Sequence, residues 1–402
     1  MRFSWLLILL FPIVLAGCSS DEDVIKPSPL PDFKSDLQVK KLWGTVVGDG
    51  VDEAYLALEP AVTERWVFAA SRDGRVVKID RNTGKKVWTM DTGHTITGGV
   101  SAGYGLVAFG TANGDAVVLD ENDGKTLWVK EVGGEVLSAP AIASDLVIVQ
   151  SIDGRIHALN RKDGTVSWLY DTAIPILTLR GESTPFVRGG VTLAGFANGK
   201  LAAIDTETGA VGWERPIGEP TGRSELERLI DLDGRFWVSG KTVYAATYQG
   251  KVAAVDIPSG RLLWQRKMSS FSGVSEFLNQ VYVVDDESNI HALDSLSGTD
   301  LWTQTALRGR SLSAPAAYDR YVVVGDFQGY LNWLSYKDGS FVARVKVNVP
   351  AYRNPNAKLG TVPAIRSHSE GVRAGPVVYD DIVYVQGNGG EVAAYKVIEP
   401  KQ

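Results

Sequence analysis

The sequence predicts an all-β protein: an eight-bladed β-propeller of four-stranded antiparallel blades, closed by pairing an N-terminal strand with the C-terminal blade. Three observations carry that expectation. One pattern recurs eight times from residue 43 onward, its period is about 40 residues, and every copy combines short β-branched runs with glycine turns. A sheet that small cannot bury both of its faces alone, whereas eight of them stacked around an axis can.

Ahead of the repeats, residues 1–17 read as an export signal. Met1-Arg2 supplies a positive start, residues 5–15 form an apolar run too short for a comfortable bilayer span, and small residues lead into Cys18. The tetrapeptide Leu15-Ala16-Gly17-Cys18 resembles the bacterial lipobox, in which the cysteine becomes the lipidated N-terminus. Ser19 follows where aspartate would retain the protein at the inner membrane, so the resemblance places it at the outer membrane, facing the periplasm. Residues 18–38 carry prolines at 27, 29 and 31 and no helical period, and are expected to be a flexible tether. Residues 39–402 make up the propeller.

The copies read in order. "DGRVVKIDRNTGKKVW" ends at Trp88, "NGDAVVLDENDGKTLW" at Trp128 and "DGRIHALNRKDGTVSW" at Trp168. Further copies end at Trp213, Trp264 and Trp302, a seventh reaches Ala343 where tryptophan is expected, and an eighth starting at Gly389 runs out of chain. Asp73-Gly74, Asn113-Gly114, Asp153-Gly154 and Asn198-Gly199 mark hairpin turns, which need positive φ. Strands of inner type are expected near residues 76, 116, 156, 201, 252, 290, 331 and 392. The Trp43 strand has no blade of its own, so it is assigned to the last one, which removes two open edges. The repeated tryptophans, and the equivalent His157 and His291, are read as architecture.

Little in the chain points to catalysis. Cys18 is the sole cysteine, and His94 and His368 stand alone without metal-ligand spacing. No nucleophile elbow, phosphate loop or dinucleotide fingerprint is present, and a net charge of −6 argues against nucleic acid. The repeat is also similar to that of pyrroloquinoline-quinone dehydrogenases, which makes such an enzyme the alternative reading. Those enzymes typically carry calcium at the quinone, and many have a vicinal disulfide that this chain cannot form. No catalytic residue, metal or cofactor is assigned.

Three stretches break the repeat, and such departures map to loops on one face. Residues 170–185, with "PILTLRGESTP", place Ile176, Leu177 and Leu179 beside Arg180 and Glu182; the same residues also read as the first strand of blade 4. Residues 214–240 hold "SELERLI", where Ser224 and Glu227 have capping-box spacing for a short helix or turn. Asp231 and Asp233 follow and would share one face if extended. Residues 345–374 carry Lys346, Arg353, Lys358, Arg366 and Arg373 against the single acid Glu370. That basic loop suits an anionic head group or an acidic partner, or is simply solvated.

The lipobox, "KPSPLP" at 26–31, the eight repeats, "LTLRGES" at 177–183 and "ELERLIDLD" at 225–233 together make the chain similar to a known family. It is the propeller lipoprotein subunit, called B, of the bacterial outer-membrane β-barrel assembly machinery. The resemblance implies a non-catalytic scaffold that holds the central barrel-forming subunit through its periplasmic repeat domains and helps unfolded outer-membrane proteins reach it. It also implies that Leu177, Leu179, Arg180, Asp231 and Asp233 contribute to the docking surface, and that Cys18 carries the lipid. Apolar side chains rimmed by opposite charges make a suitable hot spot.

Overall fold

Every blade follows the same local rules. Its second and third strands are runs such as Leu106 to Phe109 and Ala116 to Leu119, apolar on both faces and almost fully buried, as a strand sandwiched between two sheets must be. Its fourth strand alternates, because one face meets the next blade and the other meets water. The turn between second and third strands is closed by glycines in the left-handed region, Gly74 at φ 95° and Gly154 at φ 84°, where a Cβ would be strained. The computed structural model describes residues 25–51, 54–179, 183–232, 234–347 and 370–398.

Those residues form eight four-stranded antiparallel sheets and no α-helix. Seven sheets are consecutive, from Ala61–Val62 through Lys86–Asp91 in blade 1 to Ala316–Tyr318 through Phe341–Lys346 in blade 7. In blade 8 the strands Val377–Tyr379, Ile382–Gln386 and Glu391–Ile398 are joined by Gln38–Val46 from the N-terminal side. Lys41 and Glu391 form an ion pair at 2.5 Å within that closure.

First strands of neighbouring blades touch one another, so they surround the axis. This corrects one expectation. The strands near residues 76 and 116 are third in their blades, not innermost; the innermost are two to four residues long and too short to stand out in the repeat.

Each fourth strand is bulged at the residue before its tryptophan. Val87, Leu127, Leu263 and Leu301 are extra residues, exposed, and the bulge turns the following indole toward the next blade. There every indole finds the same seat. Trp43 Nε1 donates to Arg81 O at 2.8 Å, Trp128 Nε1 to Arg161 O at 3.0 Å, and Trp302 Nε1 to Tyr336 O at 2.8 Å. The ring lies on a turn glycine of the neighbour: a Cβ on Gly84 would stand 2.6 Å from Trp43, and one on Gly339 2.5 Å from Trp302. Trp88, Trp168, Trp213 and Trp264 repeat the arrangement.

Ala343 is explained by the same geometry. The neighbour of blade 7 is blade 8, whose third and fourth strands come from opposite ends of the chain and share no connecting turn. An indole would have no glycine turn to rest on. Instead, Leu37, Trp333, Tyr395 and Val397 fill the junction around Ala343.

Residues 25–37 also depart from expectation. They do not form a free tether but run along blade 7. Asp36 N and Leu37 N both donate to Val342 O, at 3.1 and 3.2 Å, and Ser28 N donates to Arg308 O at 2.9 Å. Phe33 stacks on Phe341 with ring centroids 5.5 Å apart. The prolines favour an extended path, and the open bulge of blade 7 supplies a carbonyl to bind it. Cys18 and the export signal lie outside the described residues.

Candidate partner-docking site

In a blade of this topology, the blade-to-blade connections and the turns between second and third strands lie on one face. All three repeat-breaking stretches fall between the fourth strand of one blade and the first strand of the next. Two of them meet between blades 3 and 4.

The first connection is pinned at both ends. Asn198 Nδ2 donates to Thr172 Oγ1 at 3.2 Å and to Ala173 O at 2.9 Å. At the far end Ser183, fully buried, accepts from Gly195 N at 2.9 Å and donates to Gly195 O at 3.1 Å. Ser313 receives Gly325 N at 2.9 Å in the same way in blade 7, so the serine closing "LTLRGES" is propeller architecture. Between the pins the chain bows outward. Ile176 is 104% exposed, Leu177 42% and Leu179 36%. The first strand of blade 4 is Phe186–Arg188, so Leu177 and Leu179 sit on a loop and the strand reading is set aside.

The second connection is a capped turn followed by a buried run. Glu227 N donates to Ser224 Oγ at 3.2 Å while Ser224 N and Arg223 N donate to Glu227 Oε2 at 3.3 and 2.6 Å. Those backbone donors hold the Glu227 carboxyl below its usual range. The reciprocal bonds of a capping box are made, but the segment closes as a turn without continuing into a helix. Leu226 is 66% exposed on it, while Leu229, Ile230 and Leu232 are buried beneath. Leu232 N donates to Phe196 O at 3.2 Å, and Tyr248 N to Asp231 O at 2.8 Å, stitching the run to blades 4 and 5.

The two connections join at one contact: Leu179 N donates to Asp231 Oδ2 at 3.3 Å. Asp231 is fully buried. This corrects the expectation that its carboxylate faces a partner; it holds the leucine loop from below. Its neighbours Gln150, Ile174, Phe196 and Leu232 line a small cleft under the loop. Arg180 and Asp233 lie outside the described residues, as do positions 348–369 of the basic loop. Sequence reasoning left out Ile176 and Leu226 as contact residues. The signal was available: apolar residues in connections whose pinning groups belong to the repeat.

Flanking the site, Tyr170 of blade 3 donates to Glu214 Oε1 of blade 4 at 2.8 Å, and Lys200 reaches Glu214 Oε2 at 3.1 Å. Those two bonds hold the Glu214 carboxyl below its usual range against opposing burial.

The axial channel is the other place where a propeller can build a site. It is crossed by Glu59 of blade 1 and Arg235 of blade 5, on opposite sides of the ring, paired at 3.2 Å. Val51, Leu56 and Leu58 cluster in the connection leading to Glu59, and Arg373 lies over Tyr55 at 3.5 Å. Among the described residues no group of three His, Cys, Asp or Glu converges to hold a metal ion. His291, paired with Asp285 at 2.9 Å, and half-buried His157 lie in separate blades.

The family model described as outer membrane protein assembly factor BamB matches residues 72–304 and 278–364. The chain belongs to the BamB family. A BamB of Pseudomonas aeruginosa is 50% identical over 391 residues, covering 97% of this chain and 98% of that one. The crystal structure of BamB from Moraxella catarrhalis superposes with a TM-score of 0.78 at 26% identity, over 89% of this chain and all of that one. A quinohemoprotein alcohol dehydrogenase of Comamonas testosteroni shares the propeller at a TM-score of 0.69 but only 13% identity, over 90% of this chain and 78% of that one. Its likeness is one of fold alone. In this BamB-family chain the connection that carries Leu177 and Leu179 and the capped turn beside it are two of the three stretches that break the repeat.

Proposed function

We infer that this chain is a non-catalytic scaffold lipoprotein of the outer-membrane β-barrel assembly complex. It docks on the central barrel-forming subunit and assists delivery of unfolded outer-membrane proteins to it. Cys18 anchors it to the outer membrane, with the propeller in the periplasm. The observation that carries the docking surface is the convergence of two repeat-breaking connections through Leu179 and Asp231, with Ile176, Leu177, Leu179 and Leu226 exposed around the junction. Three or four apolar side chains on pinned backbone lose little entropy when covered, which is what a hot spot requires. Arg180 and Asp233, next in sequence to Leu179 and Leu232, add opposite charges to these segments, with Arg180 suited to a partner carboxylate. The Glu59–Arg235 pair in the channel favours a scaffold over a cofactor enzyme.

The test is co-purification of the intact lipoprotein from its own outer membrane. The barrel-forming subunit should accompany the wild-type chain and be lost with Arg180→Ala, while the melting temperature stays unchanged. A preparation without that subunit, or a variant that loses stability and partner together, would overturn the assignment of Arg180 to the interface.

A further inference from the structure

Residues 25–37 are a built strap, fixed by groups that the other blades lack. Arg310 is 3% exposed and has its guanidinium shared between the core and the strap. Its Nε and Nη2 donate to Asp326 Oδ2 at 3.0 and 2.7 Å, Nη2 also reaches Gln328 Oε1 at 2.5 Å, and Nη1 donates to Ser28 O at 3.0 Å. Arg344 donates to Asn332 Oδ1 at 2.7 Å and to Pro31 O at 3.0 Å, and its guanidinium lies 5.0 Å from the centre of the Phe33 ring. The equivalent positions after the other repeat tryptophans hold Gly44, Thr89, Val129, Leu169, Glu214, Gln265 and Thr303. A buried guanidinium left without its acceptors is costly, so the strap stays seated.

The strap has a direction. Leu37 ends at the bulge of blade 7, while Ile25 and Lys26 lie against Gly309, in the connection between blades 6 and 7. The described strap therefore ends on the connection face, the face that bears the docking loop. Counted from Cys18, a tether running to residue 38 spans about 60–70 Å at full extension, but one ending at Ile25 spans only about 25 Å. Reaching round to the opposite face would consume about 20 Å, the height of a six-residue strand.

We propose that the strap is an orienting arm, which holds the blade 6–7 rim of the connection face next to the lipid surface and keeps the opposite face away from it. This rests on lipidation of Cys18, as inferred above. It makes the anchor a directional element and sets the docking loop, across the ring at blades 3 and 4, toward a partner that is itself held in that membrane.

Lipidation consumes the sole cysteine thiol, so one introduced cysteine can be labelled alone. The full-length lipidated chain, labelled at Asp286→Cys on the connection face or at Lys337→Cys on the opposite face, is bound to phosphatidylglycerol–phosphatidylethanolamine vesicles containing an acceptor lipid. Energy transfer should be stronger from position 286 than from 337, and the difference should vanish in Phe33→Ala/Arg344→Ala. Equal transfer from both positions in the otherwise unaltered chain would overturn the proposal. A second arm needs no lipid: in the full chain with Cys18→Ser, trypsin should cut after Lys34 roughly tenfold more slowly than in the same chain carrying Phe33→Ala/Arg344→Ala. Equal cutting means that the strap is not seated and overturns the proposal. Slow cutting together with a wild-type chain that does not bind vesicles removes the anchor instead, and the orientation with it.

Discussion

At the scale of single residues, most of the energy sits in the indole seats between blades. Trp128→Ala removes a ring from a glycine turn and leaves Arg161 O without its donor. The expected loss is about 3–5 kcal/mol in urea unfolding. Ala343→Trp, although it restores the repeat, should destabilise by about 1–3 kcal/mol, because Leu37 and Tyr395 already fill that junction. A stabilised Ala343→Trp variant would show that the seam lacks a tryptophan for some other reason. Glu214 bears on pH dependence. Its folded-state pKa is lowered by Tyr170 and Lys200, so its contribution is present above the ordinary carboxylate range and is lost as pH falls through the lowered value. Glu214→Gln should therefore flatten the acid limb of a stability–pH profile below about pH 4.5 and leave the profile around neutrality parallel to that of the unsubstituted chain.

At the scale of elements, the proposed docking loop depends on a glycine two strands away. A Cβ on Gly195 would stand 2.3 Å from Leu232 Cδ2 and 2.8 Å from Ser183 Oγ, the groups that seat the two connections. Gly195→Ala should thus weaken partner binding while lowering the melting temperature by only a few degrees; unchanged binding would mean that the connections tolerate the shift. The sequence made the existence of both connections legible, because an insertion is visible against a regular period. It did not make the depth of Asp231 legible. An aspartate between Ile230 and Leu232 reads as a surface charge unless the backbone N–H that it accepts, here from Leu179, is known. The strap was missed for a similar reason. Proline-rich composition reports an extended backbone, whereas docking depends on Arg310, Arg344 and Phe341, all more than 270 residues away along the chain.

At the scale of the whole molecule, the ring is closed once, by Gln38–Val46 beside Glu391–Ile398, and crossed once among the described residues, by Glu59 and Arg235. The blade count and this closure were readable from eight copies and a displaced tryptophan strand. The crossing was not, since nothing in a linear period says which blades face each other. Deleting residues 1–46 should leave the edge of Glu391–Ile398 unpaired and yield association or insolubility in size-exclusion chromatography rather than a seven-bladed monomer. The central claim is that exposed leucines on a pinned loop form the docking surface. It is tested most directly by titrating the purified propeller with the periplasmic domains of the barrel-forming subunit. Leu177→Asp/Leu179→Asp should weaken binding by roughly 30-fold or more, the equivalent of about 2 kcal/mol, with an unchanged melting temperature. Undiminished affinity in that folded variant would contradict the account and place the docking surface elsewhere on the ring.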